Sequence, residues 1–243
     1  MSFKIMNKAL TCGASACLLA ALAVPGSAAA GTLQVDPIKV EITQDRRTAG
    51  VTVTNEEKAP VTIRAYALEW SQAGGEDVYE KSSAVIVSPP IFTIPAGGTQ
   101  TLRIGLRSPG ASGRAYRLMI EEVPEASPGG GIRVAIRLNL PLFTHLQAGS
   151  LSDLSWTAYN GRDGRLVAEA ANKGTGYVRV APEQLGAALG VRAPAGTSFG
   201  VVLPGSSRRW VMGAQPDILD RARFQALLRT NQGVQAQLAS RQD

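Results

Sequence analysis

The side chains able to do covalent or acid–base chemistry are few and poorly placed for it. His145 is the single histidine of the 243-residue chain, and both cysteines, Cys12 and Cys17, fall within the first 30 residues. A nucleophile needs a base within hydrogen-bond reach, and a metal site needs a cluster of nitrogen, sulfur or carboxylate ligands. One imidazole without nearby thiolates assembles neither. Adjacent carboxylates occur at Glu56-Glu57 and Glu121-Glu122. Neighbouring strand residues point to opposite faces, so these pairs read as solvated faces and not as a general acid with its base. Pro128-Gly129-Gly130-Gly131 lacks the Lys-Ser/Thr of a phosphate-binding loop and leads into a strand, so it is expected to be a hairpin loop. The expectation is a protein that is not an enzyme and uses no metal and no cofactor.

Charge narrows the partners further. Beyond residue 30 the chain has 19 Arg and 4 Lys, scattered through alternating segments and not interleaved with aromatics. That leaves neither a basic stripe nor a stacking platform for nucleic acid. Lys39 and Arg117 stand out, because each lies between apolar neighbours, where a cation in a cleft needs an anionic partner to offset its desolvation.

The elements that must position these residues are strands. Residues 1–30 have the layout of a secretory signal peptide: Lys4 and Lys8, an apolar stretch from Ala9 to Val24, then Ser27-Ala28-Ala29-Ala30. Export is therefore expected, with a chain beyond residue 30 that has no cysteine to staple its core. From Leu33 to Phe143, short alternating segments recur between Gly, Pro and Ser clusters, which predicts a β-sandwich. Ile38, Val40 and Ile42 alternate with Lys39 and Glu41, and Val61, Ile63 and Ala65 alternate with Thr62, Arg64 and Tyr66. The cleanest alternation runs from Ile132 through Val134, Ile136 and Leu138 to Leu140. The pattern lapses near His145-Leu146-Gln147, which divides the chain into a leader (1–30), a first sandwich (31–146) and a second, less regular β-sandwich (147–243). Residues 218–228 have helical propensity within that last part.

Four motifs in order, Pro37-Ile38-Lys39-Val40, Ser88-Pro89-Pro90-Ile91-Phe92-Thr93-Ile94-Pro95, Tyr116-Arg117-Leu118 with Glu122-Val123-Pro124, and the alternating strand ending Leu142-Phe143, resemble the periplasmic pilus-assembly chaperones of the chaperone–usher pathway. The short stretch between Pro124 and Ile132 is similar to their short-loop or archaic branch. The resemblance implies two immunoglobulin-like domains in a boomerang. It implies a periplasmic location and two partners, pilus or fimbrial subunits and an outer-membrane usher. In that family one strand is lent to a subunit that lacks its own last strand. Ile132, Val134, Ile136 and Leu138 match the lending strand. Lys39 matches the first of the family's two basic residues for a subunit's C-terminal carboxylate. Pro141 occupies the second position and cannot serve, so Arg117 is the expected substitute, since its guanidinium suits a carboxylate bidentately. The resemblance also suggests a cis peptide at Ser88-Pro89.

Two other classes share export and strands. A pilus subunit or adhesin would carry an N-terminal donor extension, whereas here the first strand follows residue 30 almost at once. A carbohydrate-binding module would need an aromatic platform, and Trp70, Trp156 and Trp210 are far apart in sequence and fit packing roles.

Overall fold

The computed structural model describes residues 33–107, 113–124, 134–149, 153–161, 165–181, 200–214 and 235–238, and among them there is no α-helix. The segment with helical propensity at 218–228, the glycine loop at 128–131 and Ile132 lie outside the described residues. In chain order the first strands are β1 (Leu33–Asp36), β2 (Val40–Ile42), β3 (Thr48–Asn55), β4 (Val61–Ala73) and β5 (Glu76–Lys81). They are followed by β6 (Val85–Ser88), β7 (Ile91–Ile94), β8 (Thr99–Leu106), β9 (Arg114–Glu122) and β10 (Arg137–Thr144).

These strands form two sheets, one ordered β1-β3-β8-β6 and the other β2-β10-β9-β4-β5, with β7 also paired to β4. The period-2 patterns decide which face is inward. Val51 and Val53 of β3, Leu102 and Ile104 of β8, Ile63 and Ala65 of β4, Leu118 and Ile120 of β9 and Leu140 and Leu142 of β10 meet in one buried core. The nine Val, Leu and Ile side chains among them, at roughly 1.5–3 kcal/mol each, are the main force holding the sheets together without a disulfide. Asn55, fully buried at the end of β3, closes one end of the sandwich. Its amide donates to the carbonyls of Ala59, Ile94 and Pro95 at 2.8, 3.2 and 3.1 Å, while its oxygen accepts from Glu57 N at 3.0 Å. The peptide bonds Ser88-Pro89 and Asp36-Pro37 are both cis.

The second half comprises β11 (Leu154–Asn160), β12 (Arg165–Asn172), β13 (Val178–Val180), β14 (Gly200–Val202), β15 (Ser207–Ala214) and β16 (Gln235–Leu238). They make a sheet ordered β15-β12-β11-β16 and a separate pair, β13-β14. Trp156 and Trp210 pack with ring centroids 5.7 Å apart. Asn172 repeats the role of Asn55, donating to Gly176 O and Val202 O at 2.8 and 3.0 Å.

Three expectations need correction. Ile38 is not on the inward face: β2 begins at Val40, and Ile38 precedes it at 75% exposure. Glu121 and Glu122 are not solvated; both are buried. The alternating strand does not enter the sheet before Arg137, so Val134 and Ile136 precede it.

Candidate functional site

The feature that departs from an ordinary sandwich is the outer edge of β10. Its ladder with β9 runs the full strand, from Arg137 opposite Glu121 to Thr144 opposite Arg114. On its other side β2 pairs with it in parallel, and only over Leu142, Phe143 and Thr144. His145 N donates to Ile42 O at 2.7 Å on the β2 side, whereas Ile136 O accepts from Glu122 N at 2.9 Å on the β9 side. Backbone groups alternate sides along a strand, so the odd-numbered residues of β10 face the β2 side. The N–H and C=O of Arg137 and Asn139 therefore face an edge with no strand opposite them among the described residues, whereas the C=O of Pro141 faces Val40 at the start of β2. Pro141 has no N–H to leave unpaired. An open edge of this kind is a template for another chain, and natural sandwiches usually protect it with charge.

The apolar row expected to be lent divides along this edge. Val134 is 78% exposed, while Ile136 is half-buried. Leu138 packs against the chain's own core together with Leu140 and Leu142, so it belongs to this sandwich and is not free for a partner. Within the described residues the part of the row outside the chain's own core cluster is Val134 and Ile136, with the main chain of Ile136 bonded to Glu122.

Lys39 and Arg117 lie on the outer face of the same sheet. Arg117 is opposite Pro141, and one step back from the Leu142–Val40 pair brings Lys39 level with Pro141 on its other side. Two inter-strand spacings put their main chains about 10 Å apart. Their charged ends turn to different partners. Lys39 Nζ lies 2.8 Å from Glu41 Oε1 and 3.5 Å from the Tyr177 hydroxyl. The hydrogen bond to Glu41 holds the ammonium above the usual lysine range, and the same bond holds the carboxyl of Glu41 below its own. The Arg117 guanidinium sits 3.8 Å from the centroid of the Trp70 ring, and its buried Nε has no hydrogen-bond partner among the described residues. Burial pushes Arg117 below the usual arginine range, opposed by Tyr79 and Asp77. An arginine so placed stays charged. The fold thus brings both cations to one row without bringing them into contact, and neither Glu121 nor Glu41 pairs with Arg117. Glu121 is held instead by Arg64 and Arg137.

Sequence reasoning missed Tyr177 and Asp77, which frame this face from the second half and from β5. Tyr177 donates to Glu41 Oε1 at 3.1 Å and stacks on Phe143. Asp77 accepts from Trp70 Nε1 at 2.9 Å and from Arg208 at 2.7 and 2.8 Å. An isolated tyrosine and aspartate in separate segments carry no sequence signal that they will meet.

The two-sheet sandwich, with part of one strand edge open among the described residues and Lys39 and Arg117 level with it, is of the all-β, immunoglobulin-like class. Residues 32–147 match the family described as pili and flagellar-assembly chaperone, PapD N-terminal domain. The chaperone protein FaeE of Escherichia coli is 32% identical over 128 residues, covering 51% of this chain and 47% of the relative. The chaperone protein ClpE of Escherichia coli is 31% identical over 128 residues, covering 51% and 46%. The chain spans about half the length of these curated relatives. Among solved structures, the CsuC–CsuE chaperone–tip adhesion subunit pre-assembly complex of archaic Csu pili from Acinetobacter baumannii matches with a TM-score of 0.59 at 22% identity, covering 76% of this chain and 88% of that chain. The Salmonella enterica SafA pilin in complex with the SafB chaperone matches with a TM-score of 0.52 at 16% identity, covering 74% and 84%. At these identities the structural matches speak for the two-domain immunoglobulin-like fold.

Proposed function

We propose that this protein is a periplasmic chaperone that binds pilus or fimbrial subunits by donor-strand complementation and delivers them to an outer-membrane usher. The observation that carries this is the edge of β10 from Arg137 to Leu140, open among the described residues and led by the exposed Val134. A subunit missing its last strand exposes a core groove and unpaired edge amides, and an extended apolar segment satisfies both. Ile132, Val134 and Ile136 are the donor residues in this reading. Each side chain fully buried in a subunit contributes roughly 1.5–3 kcal/mol before ordering costs. Because β2 runs parallel to β10, a subunit strand lying in line with β2 and running the same way ends at Lys39. Its C-terminal carboxylate then meets Lys39, with Arg117 across Pro141 as the second cation.

Residues 1–30 act as the export signal, 31–146 as the donor domain and 147–243 as the second domain. The matched family consists of chaperones, and the work needs no catalyst, metal or cofactor. The names of two structural neighbours, a chaperone with a pilin and a chaperone with a tip subunit, support the choice of partner. The test is co-expression with candidate subunits from the same source and recovery from the periplasm. An equimolar complex is expected, and its loss on replacing both Val134 and Ile136 by Asp. Normal recovery of the subunit with both changes in place removes the donor-strand assignment.

A further inference from the structure

We infer that Glu121 is a positioning residue: gripping Arg137 from β9, it fixes the point at which the donor segment leaves the chaperone's own sheet. The inference rests on the donor-strand reading above and concerns a different set of residues. Glu121, Arg137 and Arg64 lie in one row across three strands, since Arg137 and Arg64 are both directly opposite Glu121. Arg137 Nε lies 2.7 Å from Oε1, which also accepts from the Tyr66 hydroxyl at 2.8 Å, and Arg64 donates to Oε2 at 2.7 Å. Both carboxylate oxygens are therefore engaged. The Glu121 side chain is only 6% exposed, whereas those of Arg64 and Arg137 are 57% and 69% exposed. On the next residue, the Glu122 carboxylate accepts from Ile136 N at 3.3 Å and its backbone N–H donates to Ile136 O at 2.9 Å. Two consecutive acids thus hold the last residue before β10 and the first residue within it.

A polar grip is needed there because apolar patterning cannot place this end of the strand. Ile136, Leu138 and Leu140 have equivalent alternation, so a bulge or a two-residue shift keeps apolar side chains inward. At the far end Phe143 is fixed by its stack on Tyr177. At the near end, Arg137 to Leu140 have a ladder on one side only among the described residues, and Arg137 is the one charged residue of β10. Placing it over a buried carboxylate sets where pairing with β9 stops, and hence how much apolar chain projects toward a subunit.

The measurement is amide hydrogen exchange on the full chain alone, comparing Leu138, at the gripped end, with Leu142, beyond the open edge. In Glu121→Gln and in Arg137→Gln, Leu138 is expected to exchange about tenfold faster while Leu142 is unchanged. Arg137→Lys is expected to restore part of the protection, since an ammonium still pairs with the carboxylate. Should the buried Glu121→Gln fail to fold, Arg137→Gln, at an exposed side chain, decides the matter. Unchanged Leu138 exchange, or equal acceleration at Leu138 and Leu142, overturns the inference. A second arm reads subunit association in Arg137→Gln, where a slower on-rate is expected. Faster exchange with unaltered association overturns the positioning role. The exchange arm contains no subunit, so its failure is separable from failure of the donor-strand reading.

Discussion

Phe143 and Tyr177 stack with ring planes 7° apart and centroids 3.8 Å apart. Phe143 is the penultimate residue of β10, and Tyr177 precedes β13, so the pair ties the first sandwich to the second half of the chain. Trp70, Ala115 and Leu203 pack around it as a small apolar cluster separate from the main core. Truncating a buried aromatic removes its contacts and leaves a cavity, so Tyr177→Ala is expected to cost about 3–5 kcal/mol in chemical denaturation. Tyr177→Phe keeps the ring and loses only the hydroxyl bonds, an expected cost of about 1 kcal/mol. Equal stabilities for the two variants would show that the stack does not hold the halves together.

The two sheets were legible in the sequence because alternation at period 2 directly encodes which side chains face inward, as Val51/Val53 and Leu118/Ile120 do. The same rule misled where a side chain's surroundings come from other strands. Ile38 continues the alternation of Val40 and Ile42, yet the chain leaves the sheet before it and exposes it. Glu121 looks like a solvated charge until β4 and β10 bring Arg64 and Arg137 across it. Leu138 is indistinguishable by type from Val134, and only the length of the ladder with β9 separates a core residue from a free one. Lys39 and Arg117 could be chosen by type and spacing, but the turn of each head group toward Glu41 and Trp70 depends on tertiary neighbours.

Asp77 ties pH to the packing of the two halves. Burial pushes its carboxyl up, but hydrogen bonds from Gln72, Trp70 and Arg208 outweigh burial and hold it below the usual aspartate range. A group whose folded pKa is depressed contributes stability that is present above its unfolded pKa, about 3.9, and is lost as pH falls through the lower folded value. The chain is therefore expected to lose melting temperature below about pH 4. Asp77→Asn should flatten that acid limb while lowering stability at neutral pH, because the largely buried Arg208 is left without its anion. Melting curves across the acid range check this, and a variant with the same acid slope as the parent would assign the limb to other carboxylates.

Gly75 tests whether the β4–β5 turn is held by the second half. Its φ is +85°, and a Cβ there would lie 2.6 Å from Arg209 Cγ, whereas Gly74, at φ +60°, has open space around it. Arg209 N also donates to Gly75 O at 3.0 Å. Gly74→Ala should cost only the left-handed backbone penalty, about 1 kcal/mol, and Gly75→Ala that penalty plus displacement of the Arg209 side chain. A difference between them in denaturation reports the contact with β15, and identical losses would show that Arg209 moves aside freely.

The last prediction concerns the balance of charge at Lys39. Its ammonium already has an anion in Glu41 at 2.8 Å, and both side chains are partly exposed, so this pair contributes little to folding. A subunit carboxylate arriving at the start of β2 competes with Glu41 for the same cation. Lys39→Ala is then expected to leave the melting temperature nearly unchanged while lowering subunit capture about tenfold or more, at 1.4 kcal/mol per decade. Glu41→Gln should act in the opposite direction, tightening capture by releasing the ammonium. Arg117 stands one strand further away with its head group on Trp70, so Arg117→Ala should cost less capture than Lys39→Ala, and Arg117→Lys should recover only part of it. Titrating subunit complexes of the four variants separates these effects from folding. If Glu41→Gln weakens capture as much as Lys39→Ala does, the pair acts as a unit that orients Tyr177, and the carboxylate is held elsewhere.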